Sequence, residues 1–178
     1  MVDGLEREGL IVFQSGLGWM SLKMRGEAVG ALSFGHPSAA SAVEAIAPGQ
    51  VANQQLSDSQ CKVVERLQRY ATGVPVDFCD LPVDFDDGTE FRARVLKACR
   101  EIPYGKTVTY GELAVTAGAP GAGRAVGRVM SGNRVPLIIP CHRVVRRGGY
   151  IGGYSAVGGG AMKRRLLKME AVVNLREP

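Results

Sequence analysis

The sequence predicts an α+β protein of two domains, residues 1–85 and 86–178, on the basis of three observations. Short runs of apolar residues between Gly9 and Phe34, separated by turn-rich pieces, are typical of strands. After residue 85 the apolar residues recur instead at helical spacing. The charge also changes, because residues 1–85 contain 6 Lys/Arg and 10 Asp/Glu (net −4) and residues 86–178 contain 16 and 7 (net +9).

Three strands are predicted near the start of the first domain, at Leu10–Phe13, Gly18–Met24 and Ala28–Leu32. Residues 37–55 have little periodicity and are predicted to be loop, with at most a short helical turn. A capping box formed by Ser57 and Gln60 begins a helix that ends at Gly73. Residues 74–85 alternate apolar and acidic side chains around two prolines, which predicts one further strand.

Four helices are predicted in the second domain, at Thr89–Arg100, Thr109–Gly118, Ala122–Ser131 and Lys163–Glu170. The second of them begins with a capping box of Thr109 and Glu112. A tight turn around Pro120 joins it to the third, and two short helices joined in this way make a helix-turn-helix. Residues 148–160 contain seven glycines and are predicted to form a loop that is mobile or closely approached by a ligand.

A reactive thiol is predicted at Cys141, where an apolar run, residues 137–140, stops at Pro140. A strand ending there would hold the thiol rigidly, and three arginines would favour the nucleophilic thiolate: Arg143, Arg146 and Arg147. The alternative is an unreactive cysteine in a core strand, as free cysteines commonly are. Neighbouring side chains on a strand face opposite ways, so His142 can serve the thiol only where the chain turns or a water relays the proton.

The remaining cysteines, Cys61, Cys79 and Cys99, are interpreted as structural. The chain has no CxxC pair and no cluster of histidines, so the sequence predicts neither a zinc site nor a disulfide framework. Met1–Leu10 lacks the cationic start and apolar core of a signal peptide, and no membrane segment is apparent. We therefore expect a cytoplasmic protein.

The positive charge of the second domain predicts a polyanionic partner, most commonly nucleic acid, although a merely solvated basic face is the alternative. The third predicted helix combines small residues with long cations: Ala122, Gly123, Ala125 and Gly127 with Arg124 and Arg128. Small residues permit the helix backbone to approach a binding partner closely. A helix that reads base edges in the major groove would carry several Asn, Gln, Arg or Lys residues, so this one suits a narrow groove.

The run Pro140-Cys141-His142-Arg143-Val144 resembles the active-site signature of the O6-alkylguanine-DNA alkyltransferases. Asn133 lies eight residues upstream, and the segments 124–127 and 109–114 occur in the order and spacing of that family. The resemblance is close from about Phe91 to Ala171. It implies a ribonuclease-H-like first domain and a winged helix-turn-helix-like, mostly helical second domain.

The activity implied by the resemblance is single-turnover repair of O6-alkylguanine, and of O4-alkylthymine, in double-stranded DNA. The damaged nucleotide is flipped out, and its alkyl group passes irreversibly to Cys141. The implied protein is a monomer that needs no cofactor and no metal, located in the cytoplasm, with the nucleoid or in the nucleus. A lesion-binding alkyltransferase-like protein without repair activity is the alternative, but such proteins lack the cysteine. A Cys-His thiol hydrolase is a third, less compatible with a helix-turn-helix beside the site.

The resemblance also implies a role for each matching residue. Cys141 is the nucleophile, His142 the water-assisted base, and Glu170 the acid that orients His142. Asn133 ties the recognition helix to the active-site strand, and Tyr110 donates its hydroxyl to the guanine or its phosphate. The residues implied to bind the base are Met130 and Tyr154 as walls, the carbonyls of Cys141 and Val144, and Ser155 near O6. Arg124 is implied to enter the base stack, with Ala122, Gly123, Ala125, Gly127 and Arg128 along the DNA.

The sequence departs from the family pattern at three places. Residues 155–161 are about two longer than the usual loop, and this difference falls beside the implied base-binding residues Tyr154 and Ser155. Arg134 replaces a common proline and Arg128 a frequent small residue. Both add positive charge, which predicts tighter non-specific binding to DNA.

Overall fold

The structure is a computed structural model, and it describes residues 8–53, 55–85 and 88–171. The chain is a mixed α/β protein that divides into two compact units, Met1–Asp84 and Phe85–Pro178. The predicted absence of a leader in Met1–Leu10 concerns residues that lie mostly outside the described ranges. No helix in the described ranges has the length and apolar character needed to span a membrane.

The first unit contains a three-stranded antiparallel sheet in the order β1, β2, β3. The strands are β1 (Glu8–Ser15), β2 (Gly18–Arg25) and β3 (Ala28–His36). Ile11, Leu22 and Leu32 lie opposite one another across the sheet and are all buried. The three strands predicted from the apolar runs are confirmed.

Two helices follow, α1 (Ala39–Ile46) and α2 (Asp58–Ala71). The predicted capping box of α2 is confirmed, since Ser57 and Gln60 bond reciprocally. The prediction of loop for residues 37–55 is wrong at α1, an eight-residue helix. Alanine strongly favours helix, and Ser38 and Ser41 form a capping box without the usual Glu or Gln.

The further strand predicted in residues 74–85 is absent from this described stretch. The segment pairs with β3 only at one point, where Val29 and Val83 form an isolated bridge. The physical reason is that Pro75 and Pro82 have no N–H to donate to a ladder.

The second unit contains four α-helices, two short 3₁₀ turns and a two-stranded parallel sheet among its described residues, and the α-helices and strands position the site. In chain order these are α3 (Glu90–Arg100), β4 (Val108–Thr109), α4 (Tyr110–Thr116), α5 (Gly123–Ser131), β5 (Val144–Val145) and α6 (Gly159–Met169). All four predicted helices are confirmed, although α6 begins four residues earlier than expected. The capping box of Thr109 and Glu112 begins α4 as predicted.

The arrangement of these elements fixes the surroundings of residue 141. Val108 pairs with Val144 and Thr109 with Val145, so the start of α4 lies beside the residues that follow the cysteine. The helix α3 braces the pair α4 and α5, because Arg94 donates to the carbonyl of Ala117 at 3.1 Å and Arg92 to that of Gly132 at 2.7 Å.

Candidate active site

The backbone before Cys141 is a compact buried turn, so the predicted strand at residues 137–140 is wrong. Pro136 and Pro140 lack N–H donors, and Leu137 has a φ of 71°, a value incompatible with a strand. Cys141 itself opens a single 3₁₀ turn that ends at Arg143. The chain therefore turns at Cys141 and His142, so their side chains are not held on opposite faces as they would be in a strand.

Asn133 connects the end of α5 to this turn. Its Nδ2 donates to the carbonyl of Ile139 at 2.9 Å and to Cys141 Sγ at 3.2 Å, while its Oδ1 accepts from the backbone of Val135 at 3.1 Å. One side chain thus fixes the turn and holds a hydrogen-bond donor against the sulfur. It ties α5 to a turn rather than to the strand that was predicted.

Cys141 lines a cavity of about 280 Å³, near the lower end of the range for small-molecule sites. The residues that line it are Tyr110, Gly127, Met130, Ser131, Cys141, Gly153, Tyr154 and Ser155. Four predicted base-pocket or catalytic residues therefore surround the thiol together. Val144 is not among the lining residues, and its carbonyl accepts a hydrogen bond from Lys163 Nζ at 2.6 Å.

Burial raises the pKa of the Cys141 thiol. Four weaker influences lower that pKa: the hydrogen bond from Asn133, the positive charge of Lys163, a hydrogen bond with Tyr154 and a backbone hydrogen bond at Cys141 itself. None of the three arginines that were predicted to favour the thiolate is among these influences. The guanidinium of Arg143 donates to the carboxylate of Glu170, and Arg146 and Arg147 line an outer groove.

Glu170 is a buried acid at the end of α6 that accepts from three residues. His142 Nε2 lies 2.9 Å from Oε1, Arg143 donates to both carboxylate oxygens at 2.9 Å, and the backbone N–H of Gly105 donates to Oε2 at 3.1 Å. Arg143 also donates to the carbonyl of Ile102 at 2.6 Å. The structure thus joins His142 to Glu170 across 28 residues of sequence.

The charge states of this cluster follow from burial and pairing. Burial by itself would raise the pKa of Glu170, but hydrogen bonds from His142 and Arg143 outweigh it and hold that pKa far below its usual range. Burial lowers the pKa of His142 in spite of the carboxylate. At neutral pH the acid is therefore ionised and the imidazole neutral, a state in which His142 can accept a proton.

A second, wider concavity of about 830 Å³ lies along α4 and α5. Its lining includes Gly123, Arg124 and Gly127 from α5 and Arg146 and Arg147 from the segment after β5. We call it the basic groove. On the outer side of α5, Arg124 and Arg128 are exposed, while Gly123, Ala125, Gly127 and the N-cap residue Ala122 are half-buried. The inner side carries the buried residues Val126, Val129 and Met130.

The glycines of α5 are not required by packing inside the protein. A Cβ at Gly127 would lie 3.9 Å from the ring of Tyr110, and one at Gly123 would lie 3.7 Å from the backbone of Gly111. Both distances are ordinary van der Waals contacts. The small residues therefore leave room on the outer side of the helix, in the basic groove.

Sequence reasoning missed Lys163 and assigned Arg143 the wrong task. Lys163 is fully buried, and it shares one face of α6 with Leu166, Leu167 and Glu170 at helical spacing. Two charged residues on an otherwise apolar stripe were the available signal.

The interpretation of Cys99 as a core residue is confirmed, whereas Cys61 and Cys79 are exposed and so lie outside any core. Among the described residues no group of three His, Cys, Asp or Glu side chains is arranged to hold a metal ion.

Comparison with known proteins gives consistent results for this second unit. A family model described as 6-O-methylguanine DNA methyltransferase, DNA binding domain, matches residues 90–172. A methylated-DNA–protein-cysteine methyltransferase of Methanopyrus kandleri is 46% identical over 110 residues, which are 62% of this chain and 79% of that relative. One of Methanothermobacter thermautotrophicus is 43% identical over 111 residues, 62% of this chain and 61% of that relative.

Solved structures extend the similarity to most of the chain. The crystal structure of Mycobacterium tuberculosis OGT in complex with DNA has a TM-score of 0.75 at 34% identity, covering 92% of this chain and 93% of that one. The O6-methylguanine-DNA methyltransferase of Pyrococcus kodakaraensis has a TM-score of 0.68 at 26% identity, covering 93% and 100%.

The fold and the site define a protein that presents a buried cysteine thiol beside a basic groove. Together with these similarities they place the chain in a family: it belongs to the 6-O-methylguanine DNA methyltransferases. The matched stretch spans about three fifths of the length of several curated relatives.

Proposed function

We propose that the chain repairs O6-alkylguanine, and O4-alkylthymine, in double-stranded DNA by transferring the alkyl group irreversibly to Cys141. The observation that carries this proposal is the position of the thiol, on the lining of a small cavity that shares Tyr110, Gly127 and Gly153 with the basic groove. A base extruded from a duplex lying in the groove reaches the sulfur through that shared wall. The lesion-binding alternative lacks support, because the cysteine is present.

The chemistry is a displacement at the alkyl carbon. The thiolate of Cys141 attacks that carbon, so that an S–C bond forms as the C–O6 bond breaks. The electron pair of the C–O6 bond stays on the guanine, which takes up a proton. The thioether does not hydrolyse, so each molecule acts once and needs no cofactor.

We assign His142, through a water, to the removal of the thiol proton. The neutral state of His142 supports this role, because only a neutral imidazole accepts a proton. Glu170 then orients the ring and stabilises the imidazolium. Asn133 stabilises the thiolate with its donated hydrogen bond, and Tyr110 donates its hydroxyl to the base or its phosphate.

The base would lie between Met130 and Tyr154, with Ser155 near O6 and the carbonyl of Cys141 accepting from the exocyclic amine. Arg124 would occupy the gap that the flipped nucleotide leaves in the stack. The carbonyl of Val144 accepts from Lys163 with one lone pair, and its second lone pair is proposed to accept from the same exocyclic amine.

We also propose a fold for each of the two domains. Residues 1–85 form a ribonuclease-H-like domain and residues 86–178 a winged helix-turn-helix-like domain that binds DNA. The short helices α4 and α5, joined by a turn, support the second assignment. One copy of the second unit supplies every residue assigned to the reaction, which is consistent with action as a monomer.

The test is a peptide map after incubation with a duplex that contains O6-methylguanine. One added methyl group on the peptide that carries Cys141, and none on those of Cys61, Cys79 or Cys99, is the expected result. Methylation of the other cysteines to the same extent, or none at Cys141, would overturn the proposal. Cys99→Ser serves as the matched control, since that thiol is also buried but lies outside the cavity lining.

A further inference from the structure

Lys163 is unusual for a lysine because it is fully buried, and lysines are almost never fully buried without a compensating partner. Its side chain is 0% exposed, and its Nζ donates to the carbonyl of Val144 at 2.6 Å. That ammonium also lies over two aromatic rings of the cavity lining, 5.9 Å from the centroid of Tyr110 and 6.0 Å from that of Tyr154. The helix α6 thus places a positive charge directly behind the cavity wall.

The ionisable groups around this ammonium are mostly groups of the reaction centre. They are Cys141, Cys99, His142, Arg146, Tyr110 and Tyr154. Burial lowers the pKa of Lys163 to about 8, and the charge of Cys141 is the largest influence that opposes this shift. The interaction is mutual, because Lys163 lowers the pKa of Cys141. The positive charge of Arg146 repels the ammonium and so contributes to lowering the pKa of Lys163.

We propose that Lys163 is the counter-ion of the Cys141 thiolate and a positioning residue of the alkyl-transfer reaction. The role of Lys163 in alkyl transfer rests on the proposed function. The burial and hydrogen bonding of the ammonium fix its place, and within the described part of the chain no carboxylate is among the groups that oppose its desolvation. A buried cation without an acid is stabilised by the anion that the thiol becomes.

Alkylation of Cys141 removes the anion that faces Lys163. When the S–C bond forms and the C–O6 bond breaks, the sulfur becomes a neutral thioether, and the guanine takes up the proton equivalent that the thiol gave up. Lys163 then remains buried without the anion that opposed its desolvation. Its pKa should therefore fall when Cys141 is alkylated.

The first test is the rate of carbamidomethylation of Cys141 by iodoacetamide as a function of pH, read by peptide mass. Lys163→Met keeps the length of the side chain and removes the charge, so the thiolate limb of its profile should move to higher pH. A thiol pKa higher by about 1 makes the reaction near neutral pH about tenfold slower. Lys163→Arg, which keeps a cation, should restore part of the rate. Lys168→Met, on the exposed side of the same helix, is the control and should react as the wild type does.

A folded Lys163→Met protein, judged by circular dichroism, whose profile overlays that of the wild type would overturn the proposal. This readout needs no alkylguanine, so it separates failure of the counter-ion from failure of the repair activity. Where Lys163→Met does not fold, the wild type decides the matter: the lysine Nζ signal is titrated by NMR before and after alkylation of Cys141. A pKa that falls on alkylation supports the proposal, and one that does not move refutes it.

Discussion

Glu170 illustrates how single residues in this site depend on one another. Its carboxylate is fully enclosed and receives hydrogen bonds from a neutral imidazole, a guanidinium and a backbone amide. Arg143, only 6% exposed, has its charge compensated by this one acid. Removal of the acid therefore leaves a buried cation without its partner, apart from any effect on His142.

We predict that Glu170→Gln costs about 3 kcal/mol or more of the free energy of unfolding, as expected when one partner of a buried ion pair is removed. Denaturant unfolding measures this loss. Glu90→Gln is the matched control, because Glu90 pairs with Arg94 on the exposed surface and should lose much less. Equal losses in the two variants would show that the Glu170 cluster contributes nothing special to stability.

The same carboxylate predicts a pH dependence of stability. Its pKa in the folded state lies below the unfolded value of ~4.3, so its contribution is fully present above that value and is lost as the pH falls through the folded pKa. Unfolding experiments between neutral and acid pH should show a smaller decrease for Glu170→Gln than for the wild type. A parallel decrease in both proteins would remove Glu170 as the source.

At the scale of elements, local sequence signals predicted the helices well. The capping boxes at Ser57 and Thr109 specify helix starts through short-range hydrogen bonds, and both are present. The apolar run before Cys141 predicted a strand wrongly, because burial in a turn and burial in a strand select the same residues. The contacts of Glu170 with Arg143 and Gly105 depend on tertiary packing, which no local pattern contains.

The helix α5 yields a prediction about the transfer step. Arg124→Ala should slow repair of duplex DNA far more than reaction with free O6-benzylguanine, because the free base needs no flipping. Single-turnover rates on the two substrates give the comparison. Arg69→Ala, an exposed arginine on α2 that does not line the basic groove, should change neither rate. Equal loss on both substrates would make Arg124 a structural residue.

At the scale of the whole molecule, charge is concentrated where the reaction is proposed to occur. The sequence carries a net charge of +5, and the second half alone carries 16 Lys/Arg against 7 Asp/Glu. The groove is lined by three arginines and one acid, Glu112, and a net positive field of this kind accelerates encounter with a polyanion and makes the affinity for it dependent on salt. The charge split was visible in the sequence, but its focus on one groove required the positions of Arg124, Arg146 and Arg147.

We therefore predict that the affinity for undamaged duplex DNA falls steeply as salt rises, without strong dependence on base sequence. Arg147→Ala should weaken binding uniformly and reduce the slope of log K against log salt by about 1, the value for one lost phosphate contact. Fluorescence anisotropy over a salt series measures both quantities. An unchanged slope in Arg147→Ala would place that residue off the DNA path.

The central claim is that Cys141 accepts one alkyl group and never releases it. The most direct measurement is the number of methyl groups transferred per protein molecule when O6-methylguanine duplex is present in large excess. We expect a plateau at one methyl group per molecule, carried on Cys141, and no transfer by Cys141→Ser. Continued conversion of substrate beyond that plateau, or transfer that persists in Cys141→Ser, would contradict it.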